Sequence, residues 1–133
     1  MLGAAAQATD RLPLMTVVTC PTFRYHPAVV AHKAATVGVL PEDRLTLGLG
    51  AGENLNEHVV GGGWPAPRIR HERLREAAQI IRALFPGEYV SFSGCHFEVE
   101  RATLYDLPDT PVQIGIAVSG PDSVHLARST PTA

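Results

Sequence analysis

The sequence predicts an α/β fold in which three short apolar strands alternate with helices, an order that calls for a parallel sheet with right-handed crossovers. Three observations carry this. LMTVVT (14–19), RLTLGL (44–49) and PVQIGIAV (111–118) are continuous apolar runs, the pattern of strands buried on both faces. Each run leads through turn-forming residues into a helical segment. The alternating stretch YVSFSGCHFEV (89–99), centred on Ser93-Gly94, reads as a small hairpin outside the main rhythm.

The elements follow in order. After the first strand, the proline-marked turn CPTFRYHP leads into a helix over 27–40, with Pro27 at a natural first helical position, small residues throughout and Pro41 as the stop. The second strand, 44–49, ends in the glycine-rich loop GLGAGENLNEH. GGGWPAP (61–67) is a loop, and 68–85 is the clearest helix, because Leu74, Ala77, Ile81 and Leu84 share one stripe while Arg70, Arg73, Glu76 and Arg82 lie mostly off it. Pro86-Gly87 ends it. Behind the third strand, Ser119-Gly120-Pro121-Asp122 opens a short helix running through Ala127.

Composition narrows the function. With 133 residues there is room for one domain with a real core. The balance of 11 Lys plus Arg against 13 Asp plus Glu supplies no field to gather nucleic acid or an anionic membrane, so a small ligand is expected. Cys20 and Cys95 are too few and too far apart for a disulfide framework and read as buried thiols in a reduced, cytoplasmic setting. No basic region precedes a long apolar run at the start, and no run reaches bilayer length. The six histidines form no metal constellation: His71-Glu72 lacks the second histidine of H-E-x-x-H, and the others are scattered.

The glycine loop fails two familiar tests. Glu53 stands where a dinucleotide fingerprint needs its last glycine, and no Gly-Lys-Ser/Thr ending marks a phosphate loop. Glycines alone would mean a tight turn. However, Glu53 follows the last glycine at the C-terminal rim of a parallel strand, where α/β proteins hold ligands. TCPTFRYH (19–26) occupies the equivalent place after the first strand; there Phe23 and Tyr25 can fill the sheet edge with Arg24 solvated, or Tyr25 and Arg24 can contact a ligand. Ser119-Gly120-Pro121 aims a helix start over the sheet, suited either to an anion or to simple capping by Ser119. Trp64, between GGG and Pro65, reads as a loop anchor.

Taken together, VVTCPTFRYHPAVVAHKAAT, RLTLGLGAGENLNEHVVGGGWP, RHERLREAAQIIRALFPGEYVSFSGCHFEV, ATLYDLP and AVSGP resemble the luciferase-like monooxygenase superfamily. They are most similar to its branch of oxidoreductases dependent on the deazaflavin coenzyme F-420 (F420). The resemblance implies a partial (β/α)8 TIM barrel: a single partial domain over 1–133 holding strands three to five, with a disordered or truncated tail over 128–133. It implies a ring lying across the barrel mouth, close to the backbone of Gly50, Ala51, Gly52 and Asn56, with Glu53 as the acid that helps protonate the deazaflavin. Ala51 stands where the family often has another small or hydroxylated residue. A non-proline cis peptide is implied at or next to Val17-Val18, with Thr19, Cys20 and Tyr25 lining the pocket and Ser119, Gly120 and Pro121 near the cofactor's phosphate tail.

The resemblance also implies what is missing. A full barrel has eight strands and about 250 residues, so the other catalytic groups belong to segments outside this chain. Three readings follow: an F420-dependent oxidoreductase acting on a small organic substrate and inactive without those segments; a binding or assembly fragment completed by a partner or by a second copy; and a flavin mononucleotide (FMN) monooxygenase with the same fold. Open sheet edges predict association in isolation.

Overall fold

In the computed structural model, which describes residues 1–129, the alanine-rich start forms helix α1 (Leu2–Ala8), an element the sequence reading does not assign. Seven residues are too few to hold a helix unaided. Arg44 supplies what is lacking, donating from Nη2 to the Ala6 carbonyl and from Nη1 to Thr9 Oγ1 and the Leu12 carbonyl. Ala6 is thereby fixed in the core.

The rest alternates as expected. Strand β1 (Leu14–Met15) precedes α2 (Pro27–Gly38), and β2 (Leu45–Leu49) precedes the short turns α3 (Asn54–Glu57) and a 3-10 turn at His58–Val60. The long helix α4 (Pro67–Leu84), the hairpin β3 (Val90–Ser93) and β4 (Glu98–Ala102), then β5 (Gln113–Ile116) and α5 (Pro121–Ser129) complete the order. Helix α5 runs past Ala127 through Ser129, and 130–133 of the expected tail over 128–133 lie outside the described residues. The main sheet has the order β1-β2-β5, with both pairs parallel. It is an arc of a (β/α)8 barrel.

Leu45, Leu47 and Leu49 belong to one core with Val30, Ala31, Ala34 and Ala35 of α2 and the stripe Leu74, Ala77, Ala78, Ile81 and Leu84 of α4. Small residues on α2 let it lie close to the sheet. The hairpin is docked on α4 by Glu76, whose carboxylate accepts the N–H groups of Cys95, His96 and Phe97 at 2.9, 2.9 and 3.1 Å. Cys95 is exposed there, against the expectation of a buried thiol, because the hairpin tip carries it outward.

Strand one departs from its expected burial. Met15 is 53% exposed and Val17 is 87% exposed, because β1 has one neighbour in the described sheet and no opposing layer on its inner side. Its ladder is also interrupted. The N–H groups of Leu14 and Thr16 donate to the carbonyls of Arg44 and Thr46, two residues apart on both sides, but the next N–H to reach β2 is that of Thr19, on Gly48. One residue too many separates Thr16 from Thr19, which defines a β-bulge. The Val17-Val18 peptide in it is cis, as the resemblance implies.

Gly48 is what lets the bulge sit. A Cβ there would lie 2.1 Å from the Thr16 carbonyl oxygen, whereas at Gly115 the nearest atom would be the flexible end of Met15 at 3.4 Å. Thr16 cannot retreat, since its N–H is on Thr46 and its hydroxyl donates to the Gly48 carbonyl at 2.9 Å. Gly48→Ala is therefore expected to destabilise the chain by about 1–3 kcal/mol and Gly115→Ala by less than about 1 kcal/mol, read as the shift in urea midpoint; equal shifts would remove Gly48 from this role.

Candidate functional site

The three parallel strands end at one level. Gly50 N–H donates to the Thr19 carbonyl at 3.0 Å and Ala117 N–H to the Leu49 carbonyl at 2.8 Å, so the loops after β1, β2 and β5 leave from a common rim. A Cβ at Gly50 would lie 2.5 Å from Val18 Cγ2 and 3.8 Å from Ala117 Cβ. The surface that Gly48 and Gly50 approach is thus the protein's own bulge, which carries Val17 and Val18 into the open at the rim. Ala51 and Gly52 follow half-buried.

The two carboxylates of the loop part company. Glu53 is exposed at the start of α3, with no side-chain capping bond, and Asn56 is exposed beside it. Glu57 is buried. Its Oε2 accepts from Arg24 Nε at 3.2 Å, and its Oε1 lies 3.1 Å from Arg24 Nη2 but off the line of that N–H, leaving this oxygen in ion-pair contact without a hydrogen bond. Arg24 is thereby paired with a buried acid while its own side chain stays partly exposed. It ties the loop after β1 to the loop after β2, and the sequence signal for it was only a second acid four residues after Glu53.

Cys20 sits between these groups. Its thiol is pushed above the ordinary 9.0 chiefly by burial and further by the charges of Glu57 and Glu53, while Arg24 and a hydrogen bond from the Gly52 backbone oppose the shift. Thr19 and Tyr25 also line a cavity of about 220 Å³ against α2, together with Lys33 and Leu47, where the Lys33 ammonium lies 4.0 Å from the Tyr25 ring centre. At the third loop Ser119 is not the cap. Ser123 Oγ accepts the N–H groups of Ser119 and Gly120 at 2.8 and 3.0 Å and donates to the Gly120 carbonyl. Pro121 is exposed, and a Cβ at Gly120 would meet nothing within 4 Å.

Helix α4 reaches the rim through two arginines that sequence reasoning leaves as surface charges. Arg73 Nε donates to the Thr22 carbonyl at 2.8 Å, and its guanidinium lies 4.8 Å from the Phe23 ring and 5.0 Å from that of Phe97. Arg70 Nη1 donates to the Gly52 carbonyl at 3.2 Å and Nε to that of Pro65 at 3.1 Å, with its guanidinium 4.5 Å from the Trp64 ring. Phe23 and Trp64 meet at 5.8 Å, so cation and ring alternate along the back of both loops. Among the described residues no cluster of three His, Cys, Asp or Glu side chains is placed to hold a metal ion, and no helix is long and apolar enough to cross a membrane.

A parallel arc with a bulge, a glycine-rich loop and a helix start at one rim defines a class, and a luciferase-like monooxygenase family model matches residues 1–130: the chain belongs to this family. It is 48% identical over 126 residues to the F420-dependent glucose-6-phosphate dehydrogenase of Beutenbergia cavernae, covering 95% of this chain and 38% of that protein. It is 44% identical over 126 residues to the F420-dependent hydroxymycolic acid dehydrogenase of Mycobacterium tuberculosis, covering 95% of this chain and 35% of that protein. The solved structure of an F420-dependent secondary alcohol dehydrogenase in complex with an F420-acetone adduct superposes with a TM-score of 0.92 at 37% identity, over 97% of this chain and 39% of that one. The chain thus spans under two-fifths of the length of these relatives.

The ion pair predicts an asymmetry. Arg24→Met leaves a buried carboxylate without its partner and is expected to cost about 3–5 kcal/mol. Glu57→Gln frees an arginine that can turn to water and is expected to cost about 1.5–3 kcal/mol, the range for a hydrogen bond to a charged group. Urea denaturation of both variants checks the order. The raised Cys20 value has its own sign: the unfolded thiol ionises first, so the stability it contributes is whole below pH 9.0 and lost as pH rises through the folded value. The urea midpoint is expected to fall across that window, and less so in Cys20→Ser.

Proposed function

We propose that this chain forms the strand-three-to-five wall of the cofactor site of an F420-dependent oxidoreductase, and that hydride transfer needs the remaining barrel strands. The observation that carries the reading is the common rim, where the Val17-Val18 bulge, the Gly50-Ala51-Gly52-Glu53 turn and the Ser119-Gly120-Pro121 turn meet at the ends of three parallel strands. Its chemistry fits a flat ring with a polar tail. Val17 and Val18 present exposed apolar surface, the small residues beside them leave the backbone open, and the space at Gly120 admits a group close to the chain. Three relatives named as F420-dependent dehydrogenases support the choice of cofactor over FMN.

The bound deazaflavin would supply a carbon that accepts a hydride. In this reading Val17 and Val18 back the ring, with Thr19 and Cys20 setting the edge of the pocket and Tyr25 outside them. The backbone of Gly50 to Gly52 and the Asn56 side chain face the ring, while Ser119, Gly120 and Pro121 border its tail. Glu53, exposed at the start of α3, would hold the proton for the ring edge. Glucose 6-phosphate, a secondary alcohol and a hydroxymycolic acid, the substrates that the relatives' names specify, all carry a hydroxyl group. A hydroxyl-bearing organic substrate is therefore proposed here.

Fluorescence titration with F420 and with FMN tests the cofactor: saturable quenching by F420 at lower concentration than by FMN is expected, and no quenching by either would leave the assembly reading. Glu53→Gln is expected to change F420 affinity by less than about twofold, yet lower turnover by about a hundredfold or more in a barrel completed with the other strands. Retained turnover would remove Glu53 from the chemistry.

A further inference from the structure

Arg70 reads in the sequence as one charge off an apolar stripe, and Trp64-Pro65 as a loop anchor. The structure joins them. One guanidinium holds the Pro65 carbonyl through Nε and the Gly52 carbonyl through Nη1 while stacking on the Trp64 ring. It can do so because its N–H groups leave in a single rigid plane, which an ammonium lacks. Two loops remote in sequence are held together by one side chain.

The consequence falls on the peptide between Gly52 and Glu53. In a trans peptide the C=O and N–H point opposite ways within one plane, so a Gly52 carbonyl held toward α4 turns the Glu53 N–H away from it. Gly52 has little freedom to compensate, with φ +83° and space for a Cβ only 3.1 Å from Glu57 Cγ and 3.4 Å from Trp64 Cη2. On its other side the turn is bonded to the β1 loop by the Gly50 N–H on the Thr19 carbonyl, next to the half-buried Cys20. The turn that ends in the exposed carboxyl is therefore gripped from α4 behind and from the β1 loop beside it. Arg68, two residues earlier on the same helix, grips nothing at the rim and pairs with Glu72 on the exposed side.

We propose that Arg70 is a positioning residue of the rim: by fixing the Gly52 carbonyl it sets where Glu53 stands over the mouth and keeps the loop closed on Cys20. Its effect on cofactor rests on the F420 reading above, whereas its effect on Cys20 does not. The test uses Cys95→Ser chain, in which Cys20 is the single thiol, and compares the parent with Arg70→Met, Arg70→Lys and Arg68→Met. The rate of Cys20 alkylation by iodoacetamide and the F420 affinity by fluorescence quenching are measured on each, with circular dichroism to establish the folded state.

Arg70→Met is expected to speed alkylation and weaken F420 binding, each by about tenfold or more, as when a hydrogen bond to a charged group is lost. Arg70→Lys keeps the charge without the fork and should recover only part of either effect. Arg68→Met should match the parent in both. An alkylation rate unchanged in Arg70→Met, or full recovery by Arg70→Lys, would overturn the proposal, as would faster alkylation with F420 affinity unaltered. Should Arg70→Met fail to fold, Arg70→Lys decides by the same two readings. If the parent itself does not quench F420, the function proposed above fails, and the alkylation rates still decide whether Arg70 holds the loop.

Discussion

The close approach of the β1 backbone to β2 at Gly48 and Gly50 is the contact from which the rest of the rim is built. With no side chains there, the Thr16 carbonyl and Val18 can press against the neighbouring strand, and the extra residue of the bulge is taken up as a one-residue shift of register, from Met15 opposite Thr46 to Thr19 opposite Leu49. The bulge then throws Val17 and Val18 outward where the strands stop. Every loop that follows starts from a level set by that fit.

Two carboxylates four residues apart on one loop meet opposite surroundings. A buried carboxylate is costly unless it is paired, and Glu57 meets that condition through Arg24, which also bonds one loop to the other. Glu53 is left exposed at the start of α3. One acid stiffens the turn so that the other can be held at a defined place. Behind them α4 is the common support: Arg70 and Arg73, one turn apart, grip the loops after β2 and β1 respectively.

The arc leaves β1 and β5 with one strand neighbour each in the described sheet, and Met15, Val17 and Val118 stand exposed along it. Parallel sheets are ordinarily covered on both faces. Here the helix-side face is covered by α2 and α4, while the inner face and the cavity bordered by Thr16, Thr19 and Tyr25 remain open to a further layer.

Much of this was legible in the amino-acid order. The apolar runs at Leu47 and Ile114, the proline at the start of α2, and the stripe through Leu74 and Ile81 are local patterns, set by period and by backbone chemistry within a few residues. The motif GAGENLNE with a later WP was enough to mark the family and the rim. What the order could not reveal is which acid is buried, that Ser123 rather than Ser119 ties the third turn, that Thr19 and Tyr25 turn toward α2, or that Arg44 and Arg70 bond carbonyls far from them in sequence. Those depend on distances between segments tens of residues apart. Charged and polar side chains carry no period that reports a partner, so only the folded chain, by bringing donor and acceptor within reach, decided their roles.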